Sequence, residues 1–154
     1  MDWQSVLAPE GRWSALVRAP SWPELVSRHC CGLIHLAAPY INTAALRDQW
    51  RMDRSVRASM RAAIEVARLA ALGCTAISPA IVLGEIGHAG VVMDEPLDPL
   101  HLPFWRAWSQ PLLNAASMVV VPAIDGWDSC PLVWHDVCFA LGRNMPVHVY
   151  ARGV

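Results

Sequence analysis

From residue 32 onward, short apolar runs alternate with longer helical stretches, and this alternation constrains the fold more than any other feature. Apolar runs of this length, bounded by turn residues, are typical of buried strands. A dozen or more residues separate consecutive runs, which is the spacing of a right-handed crossover between parallel strands. The sequence therefore predicts an α/β fold with an open, mostly parallel sheet and helices on both faces. The predicted strands are residues 33–38, 75–77, 118–121 and 146–150.

The segments between these strands predict helices and one long loop. Residues 44–72 contain no glycine or proline, and Met60, Ile64, Ala67 and Ala71 follow one another at helical spacing, which indicates a helix. Two more helices are predicted over residues 104–116, with a break or kink at Pro111, and over 131–141. Residues 84–103 hold three prolines and three glycines and predict a loop, and loops of this length in a compact domain usually carry function.

The first 31 residues differ from the rest of the chain. They carry Trp3, Trp13 and Trp22 and several prolines, and Ser21 is placed to cap a short helix over residues 23–29. We expect residues 1–31 to form a helical appendage that packs on the domain or on a partner subunit. The α/β domain is then expected over residues 32–154.

Composition indicates a folded protein and limits its partners. Hydrophobic residues make up 55% of the 154 and charged residues 16%, the opposite of the balance found in disordered chains. A net charge of −1 offers no broad footprint for nucleic acid or an anionic membrane, so neither partner is predicted. The low charge favours a homo-oligomer, in which another subunit covers part of the surface. Without a membrane-length apolar run or a basic leader, and with five cysteines in no ligand spacing, the chain is expected to be cytoplasmic.

In open parallel sheets, ligands bind beyond the carboxyl ends of the strands. The first such end is Pro39-Tyr40, and it has no glycine-rich turn, so no dinucleotide or other cofactor is predicted. Tyr40 either offers its ring and hydroxyl to a ligand or closes the core. The second strand ends at Ser78, which is a further candidate for ligand contact.

The third strand leads into a turn over residues 125–130 and then a helix, and a helix N-terminus favours an anion or carboxylate. Asp128 and Ser129 can instead cap that helix themselves, and Trp127 can stack on a base or plug the core. Asp136 follows inside the helix, where it is either exposed or aimed into a pocket. Burial there would raise the pKa of Asp136 by desolvation. His135 is adjacent, but neighbours on a helix point about 100° apart, so no His–Asp pair is expected between them.

The remaining ionisable and aromatic residues carry weaker signals. His35 and His148 lie inside predicted strands and are expected in the core. The long loop gathers five possible metal ligands without a compact ligand spacing, so no metal is predicted; they are His88, Asp94, Glu95, Asp98 and His101. Trp105 and Trp108 share one helix face and predict a core or interface contact, with one ring possible at a pocket.

Four segments in this order resemble the nucleoside 2-deoxyribosyltransferase superfamily, and within it a small uncharacterised bacterial branch. The segments are LIHLAAPY, GCTAISPAI, MVVVPAIDGWDSC and ALGRNMPVHVY, within residues 32–150. The resemblance implies a Rossmann-like sheet, oligomeric assembly, and cleavage or transfer at a nucleoside N-glycosidic bond.

Matched residue by residue, the resemblance assigns the attacking carboxylate to Asp136 and the first-turn aromatic to Tyr40. The family's helix aspartate falls on Ser109 and its second acid on Asn114, while the acid-or-serine position falls on Cys130, beside Ser129. The family's glycine falls on Leu132. Asp136 is one methylene shorter than the family's glutamate, and Ser109 cannot replace a carboxylic acid as proton donor at neutral pH.

Two main hypotheses follow for a nucleoside or nucleotide ligand. The first is an N-glycosidase or deoxyribosyltransferase with Asp136 and Tyr40 as catalytic residues. The second is a binding module without turnover, favoured by the altered positions. The predicted ligand-binding residues are Pro39, Ser78, Trp105, Ser109, Trp127, Asp128, Ser129 and Cys130. A third hypothesis gives the tryptophan-rich N-terminal segment a role in assembly.

Overall fold

A computed structural model describes residues 1–150 and shows a Rossmann-like α/β fold built on a five-stranded parallel sheet. The spatial order of the strands is β1-β7-β6-β2-β5. Two further strands, β3 and β4, form a separate antiparallel hairpin. The strands are β1 Val17–Ser21, β2 Ile34–Leu36, β3 Ala45–Leu46, β4 Gln49–Trp50, β5 Ala76–Ile77, β6 Met118–Val121 and β7 Val147–Tyr150.

Helices cover both faces of the sheet, as predicted. Neighbouring residues of β6 separate into two buried clusters, with Val119 and Val121 in one and Met118 and Val120 in the other, because successive strand residues point to opposite faces. The α-helices are α1 Trp3–Leu7, α2 Pro23–His29, α3 Ile41–Ala44, α4 Met52–Ala71, α5 Pro79–Ala89, α6 Leu102–Ala115 and α7 Pro131–Gly142. Short 3-10 turns occupy Gly90–Val92 and Trp127–Ser129.

The four predicted strands are confirmed, and so is their parallel pairing. β2 lies between β5 and β6, with Ile34 opposite both Ala76 and Met118. The helices predicted after residues 22, 103 and 130 are confirmed within two residues at their starts, and α6 continues through Pro111 as one helix. The carboxyl ends of β2 and β6 therefore lie side by side, which brings the segments after Leu36 and Val121 to one edge.

The N-terminal segment contributes an edge strand that the sequence did not predict. β1 pairs in parallel with β7, with Val17 opposite Val147 and Ser21 opposite Tyr150. The prediction that Ser21 caps α2 was wrong, because its hydroxyl is buried and hydrogen-bonds to Nδ1 of His148 at 2.8 Å. β1 reads Val-Arg-Ala-Pro-Ser, and a proline is tolerated on an edge strand although it weakens the strand signal.

The predicted helix over residues 44–72 begins too early. α4 starts at Met52, and the preceding residues form the β3–β4 hairpin instead. In its turn, Arg47 and Asp48 take φ values of 52° and 60°. This is the left-handed conformation, and no glycine marks it in the sequence.

The apolar residues whose spacing predicted α4 lie on its exposed face. Met60 is 58% exposed and Ile64 is 47% exposed, and Ala67 and Ala71 are exposed as well. The buried face consists of Ser55, Ala58, Ser59, Ala62 and Leu69. These are mostly small residues, because α5 packs so closely on α4 that larger side chains would not fit between the two helices.

The predicted loop over residues 84–103 is shorter than expected, because α5 extends to Ala89. Its glycines serve helix packing. A Cβ on Gly84 would lie 2.8 Å from the Cβ of Ser59, and one on Gly87 would lie 3.2 Å from the Trp50 ring. Glycine inside a helix lowers helix propensity, so a sequence pattern assigns these positions to a loop unless the neighbouring helix is known.

We expect Gly84→Ala to lower the free energy of unfolding by about 1–3 kcal/mol, because the added methyl overlaps Ser59 on the facing helix. Chemical denaturation measures the change. Gly142→Ala is the matched control, since nothing lies within 4 Å of a Cβ built at that helical glycine. The double variant Gly84→Ala/Ser59→Gly should recover part of the loss, and a destabilisation that this second change leaves untouched would contradict the packing explanation.

Candidate functional site

Two features lie at the carboxyl edge of the sheet. One is a closed pocket around Asp136, which we name the Asp136 pocket. The other is an open cleft beside α4, which we name the arginine cleft. The lining residues of the Asp136 pocket are Ala37, Ala38, Tyr40, Pro79, Ala80, Leu83, Trp105, Ser109, Leu132 and Asp136. Those of the arginine cleft are Asn42, Thr43, Arg54, Arg57, Ala58, Arg61, Ile124, Asp125, Gly126 and Ser129.

The Asp136 carboxylate is buried and accepts two histidine hydrogen bonds. Nε2–H of His35, from the middle of β2, donates to Oδ2 at 2.8 Å, and Nδ1–H of His135 donates to Oδ1 at 3.1 Å. The prediction that His135 and Asp136 cannot pair was wrong. The angular separation applies to the Cα–Cβ directions, whereas Nδ1 lies near its own Cβ and reaches back to the adjacent carboxylate.

From the sequence, burial is expected to raise the pKa of Asp136. Burial does act in that direction and is the largest influence. The hydrogen bonds from His135 and His35, together with their charge, outweigh it and hold the pKa of Asp136 below its ordinary value. Asp136 is therefore ionised at neutral pH.

Tyr40, Trp105, Ser109 and Asp136, all predicted site residues, meet in the Asp136 pocket. The pocket has a volume of about 10 Å³, which is near the lower limit for a single water molecule. A nucleoside therefore has no room beside Asp136 in this conformation. Leu132, where the resembled family has glycine, is part of the wall.

Tyr40 is fully buried and its hydroxyl is occupied by the protein. It hydrogen-bonds to Oγ of Ser55 at 2.7 Å and accepts a hydrogen bond from Nε1–H of Trp50 at 3.1 Å. Burial is the main reason that the pKa of Tyr40 is raised, so the phenol remains protonated. Of the two alternatives for Tyr40, closing the core describes this arrangement.

The α6 residues of the pocket are tied to backbone groups. Nε1–H of Trp105 donates to the carbonyl of Asp98 at 2.9 Å, which ties the loop before α6 to a pocket-lining side chain. The Ser109 hydroxyl donates to the carbonyl of Arg106 one turn earlier at 3.3 Å. Trp105 is fully buried, and its ring meets those of Phe104 and Trp108 edge to face.

The arginine cleft has a volume of about 490 Å³ and opens to solvent. Arg54, Arg57 and Arg61 line one wall, and because they follow α4 at intervals of three and four residues they share one helix face. The opposite wall is the segment from Ile124 to Ser129, which follows β6. A volume of this size suits a small-molecule ligand, which the Asp136 pocket does not.

The turn after β6 is held from both sides. Gly126 takes a φ of 89°, and its carbonyl accepts a hydrogen bond from Nδ2 of Asn42 at 2.8 Å. The same Nδ2 lies 3.0 Å from Oγ of Ser129. From the other side, Nε1–H of Trp3 donates to the carbonyl of Asp128 at 2.7 Å. Residues from α1 and α3 therefore fix the backbone that faces the arginines.

Trp127 does not line either feature. It is 7% exposed and packs edge to face against Trp3, with ring centroids 4.7 Å apart. Trp134 also packs edge to face against Trp3, with ring centroids 4.9 Å apart. Of the two alternatives left open for Trp127, plugging the core describes its position.

Other predicted ligand contacts have internal partners. The hydroxyl of Ser78 donates to the carbonyl of Leu36 at 2.9 Å, and Pro39 is buried with its carbonyl accepting from Oγ1 of Thr43. Cys130 is fully buried at the N-cap of α7, and burial is the main cause that raises the pKa of its thiol. Ser129 and Asp128 precede that cap, so neither is the N-cap residue of α7.

The sequence missed the residues that give the carboxyl edge its charge. Arg54, Arg57 and Arg61 are exposed or half-buried helix residues, and only the position of the facing turn distinguishes them from other surface arginines. Their three-to-four-residue spacing places them on one helix face, and that spacing by itself does not distinguish a ligand site from a solvated surface. Within residues 1–150 no three His, Cys, Asp or Glu side chains are grouped to hold a metal ion. No helix in that range is long and apolar enough to cross a membrane.

Comparisons with known proteins give a family. Residues 32–152 match the family described as "Domain of unknown function (DUF1937)". The chain belongs to the DUF1937 family. The match starts at the residue where the strand–helix alternation begins and leaves α1, β1 and α2 outside it. No curated protein and no solved structure matched the chain.

Proposed function

We propose that this DUF1937 protein binds a nucleoside or nucleotide at the carboxyl edge of its sheet without cleaving it. The observation that carries the proposal is the state of Asp136. Both carboxylate oxygens are engaged by histidines, in a pocket with a volume of about 10 Å³. A nucleophile needs an oxygen within about 3–3.5 Å of the reacting carbon, and this pocket has no space for a sugar.

The open space at the same edge supports a binding role. The arginine cleft is large enough for a nucleotide and combines positive groups with the carboxylate of Asp125. Carboxylates accept hydrogen bonds from sugar hydroxyls, while arginines bind anionic groups. A homo-oligomer and a cytoplasmic location stay predictions from the sequence.

The second candidate is cleavage at an N-glycosidic bond. It is favoured by the meeting of Tyr40, Trp105 and Ser109 around a carboxylate that is ionised at neutral pH, as a nucleophile must be. This function requires the Asp136 pocket to widen, and Trp105, which lines it, is held by its bond to the Asp98 carbonyl.

One experiment separates the two functions. The protein is heated with bases, nucleosides and nucleoside monophosphates, and the same mixtures are analysed for free base by chromatography. At a ligand concentration about 100 times the dissociation constant, binding adds about 2.7 kcal/mol, or roughly 5–10 °C in Tm for a chain of this size. We expect such a shift with at least one compound and no release of base.

Base release that disappears in Asp136→Asn would instead establish the second candidate. A panel that produces neither a thermal shift nor free base would contradict both functions. Inosine and guanosine compounds should accompany adenosine and pyrimidine compounds, because the cleft's lining does not select a base in advance.

A further inference from the structure

The three arginines of the cleft differ in whether their guanidinium groups are already paired within the protein. Nη1 of Arg54 donates to the carbonyl of Ala45 at 2.9 Å, which fixes its direction and leaves its charge uncompensated. Arg57 pairs with Asp53, with Nη2 and Oδ2 2.6 Å apart, on an exposed surface. Within residues 1–150, Arg61 has no hydrogen-bond or ion-pair partner. The wall therefore holds two guanidinium groups with no carboxylate partner in this range and a third in a solvent-exposed pair.

The polar groups on the opposite wall are largely paired with one another. Asn42 donates to the Gly126 carbonyl and to Ser129, and the Ser129 hydroxyl in turn donates to that same carbonyl at 3.2 Å. Oγ1 of Thr43 is directed at the carbonyls of Pro39 and Tyr40. These bonds leave the guanidinium groups as the main free donors of the cleft, and they give the facing wall a fixed shape.

Asp125 is the one carboxylate in the lining of the cleft, and it lies on the wall opposite the arginines. It is exposed and has no hydrogen-bond or ion-pair partner within residues 1–150. The cleft thus presents guanidinium donors on one side and a carboxylate acceptor on the other. A ligand that satisfies both carries an anionic group at one end and hydroxyl donors at the other.

Phosphate is the anion that suits the arginine wall best. A guanidinium presents its N–H donors in a planar fork that matches two phosphate oxygens, and charged hydrogen bonds of this kind are about twice as strong as neutral ones. Several guanidinium groups on one helix face can share the oxygens of one phosphate, whereas a carboxylate ligand offers only two. Hydroxyl groups of a sugar are donors that Asp125 can accept.

We propose that the arginine cleft binds the phosphate group of a sugar phosphate such as a nucleoside monophosphate, through Arg57 and Arg61 with support from Arg54. Asp125 accepts hydrogen bonds from the sugar hydroxyls. The proposal narrows the ligand class of the function proposed above. It depends on that function only in assuming that the ligand carries a base. The phosphate contact itself depends on the arginines alone.

The test measures dissociation constants by calorimetry at one fixed ionic strength. The probes are adenosine, adenosine monophosphate, ribose 5-phosphate and inorganic phosphate. The variants are Arg61→Gln and Arg57→Gln/Arg61→Gln. Arg28→Gln is the matched control, since Arg28 is an exposed arginine on α2 that does not line the cleft. The midpoint of thermal unfolding is recorded for each variant to show that it is folded.

We expect the phosphorylated probes to bind more tightly than adenosine. Arg61→Gln should weaken them about tenfold or more, the double variant further, and Arg28→Gln less than about twofold. Asp125→Asn should weaken ribose 5-phosphate and leave inorganic phosphate unchanged. Equal binding of adenosine and its monophosphate, or unchanged binding in the double variant, would overturn the phosphate site.

The same data distinguish failure of this inference from failure of the proposed function. If adenosine binds and the arginine variants have no effect, the phosphate site is wrong and the nucleoside-binding function stands. If ribose 5-phosphate binds through the arginines and the base adds no affinity, the phosphate site stands and the nucleoside function fails.

Discussion

Replacing Asp136 by alanine is expected to lower the free energy of unfolding by about 3–5 kcal/mol. The side chain is 7% exposed and joins His35 of β2 to His135 of α7, so its loss leaves the fully buried His35 without its hydrogen-bond partner. Removing one member of a buried pair is costly because the remaining polar group stays away from water. Urea denaturation at pH 7 measures the change.

Asp136→Asn keeps the shape of the side chain and removes only its negative charge. This variant replaces the alanine variant in the experiment if the latter does not fold. Because the folded-state pKa of Asp136 lies below its ordinary value of 3.8, the ionised carboxylate stabilises the fold above that value. The contribution is lost as the pH falls through the lower, folded-state pKa. We therefore expect the stability difference between wild type and Asp136→Asn to be largest above about pH 5 and to shrink below pH 4.

Asp53→Asn is the matched control for the charge change. Asp53 also pairs with a basic side chain, but on an exposed helix surface where water screens the interaction. Its replacement should leave the denaturation midpoint within experimental error. If Asp136→Asn were equally silent at pH 7, the buried pair would not stabilise the fold and its role would have to be sought in ligand chemistry.

Trp105→Ala is expected to lower the free energy of unfolding by about 3–5 kcal/mol. The ring is fully buried on α6, and its removal creates a cavity next to Asp136 and frees the loop that Asp98 anchors. Calorimetric or chemical unfolding gives the loss. The same variant should admit small aromatic molecules to the enlarged pocket, which a thermal-shift screen with indole detects.

Trp22→Ala and Trp105→Phe complete that experiment. Trp22 is 50% exposed, so the same substitution there should cost far less. Trp105→Phe keeps an aromatic ring and removes the bond to the Asp98 carbonyl, which should cost about 1–3 kcal/mol. A loss at Trp22 as large as that at Trp105 would mean that burial in the pocket does not explain the effect.

The candidate site was predictable only in part. Asp136, Tyr40, Trp105 and Ser109 were selected from their positions after strands or within helices and from the resemblance, and the fold brings these four residues together. The same reasoning placed Trp127 and Ser78 at a ligand, although each is buried and packed or bonded within the protein. A residue beside a turn can face either way, and its direction depends on packing from elements far away in the chain.

The two histidines that hydrogen-bond to Asp136 show which of its properties could not be predicted from the sequence. His35 and Asp136 are 101 residues apart and meet only because α7 packs against β6, the strand that pairs with β2. Predicting the pKa of Asp136 from its apolar neighbours in the helix gave the wrong direction, because that reasoning counted burial and neither histidine hydrogen bond. The bond from His35 depends on tertiary packing, and the bond from His135 depends on the direction of the neighbouring side chain. The arginine cleft was missed for a related reason. Arginines on a helix face form a cleft only when a second segment, here the turn after β6, packs across from them.

The class of fold, and the edge of the sheet at which a site is expected, follow from the sequence alone. Apolar runs with long crossovers permit little besides parallel strands, and parallel strands direct their carboxyl ends to one edge. Tertiary packing was needed to show that β1 joins this sheet and that α5 continues through its glycines. It also decided that the pocket at Asp136 is closed while the arginine cleft beside it is open. Those outcomes depend on packing distances between side chains that are far apart in the sequence. Local sequence patterns do not encode such distances.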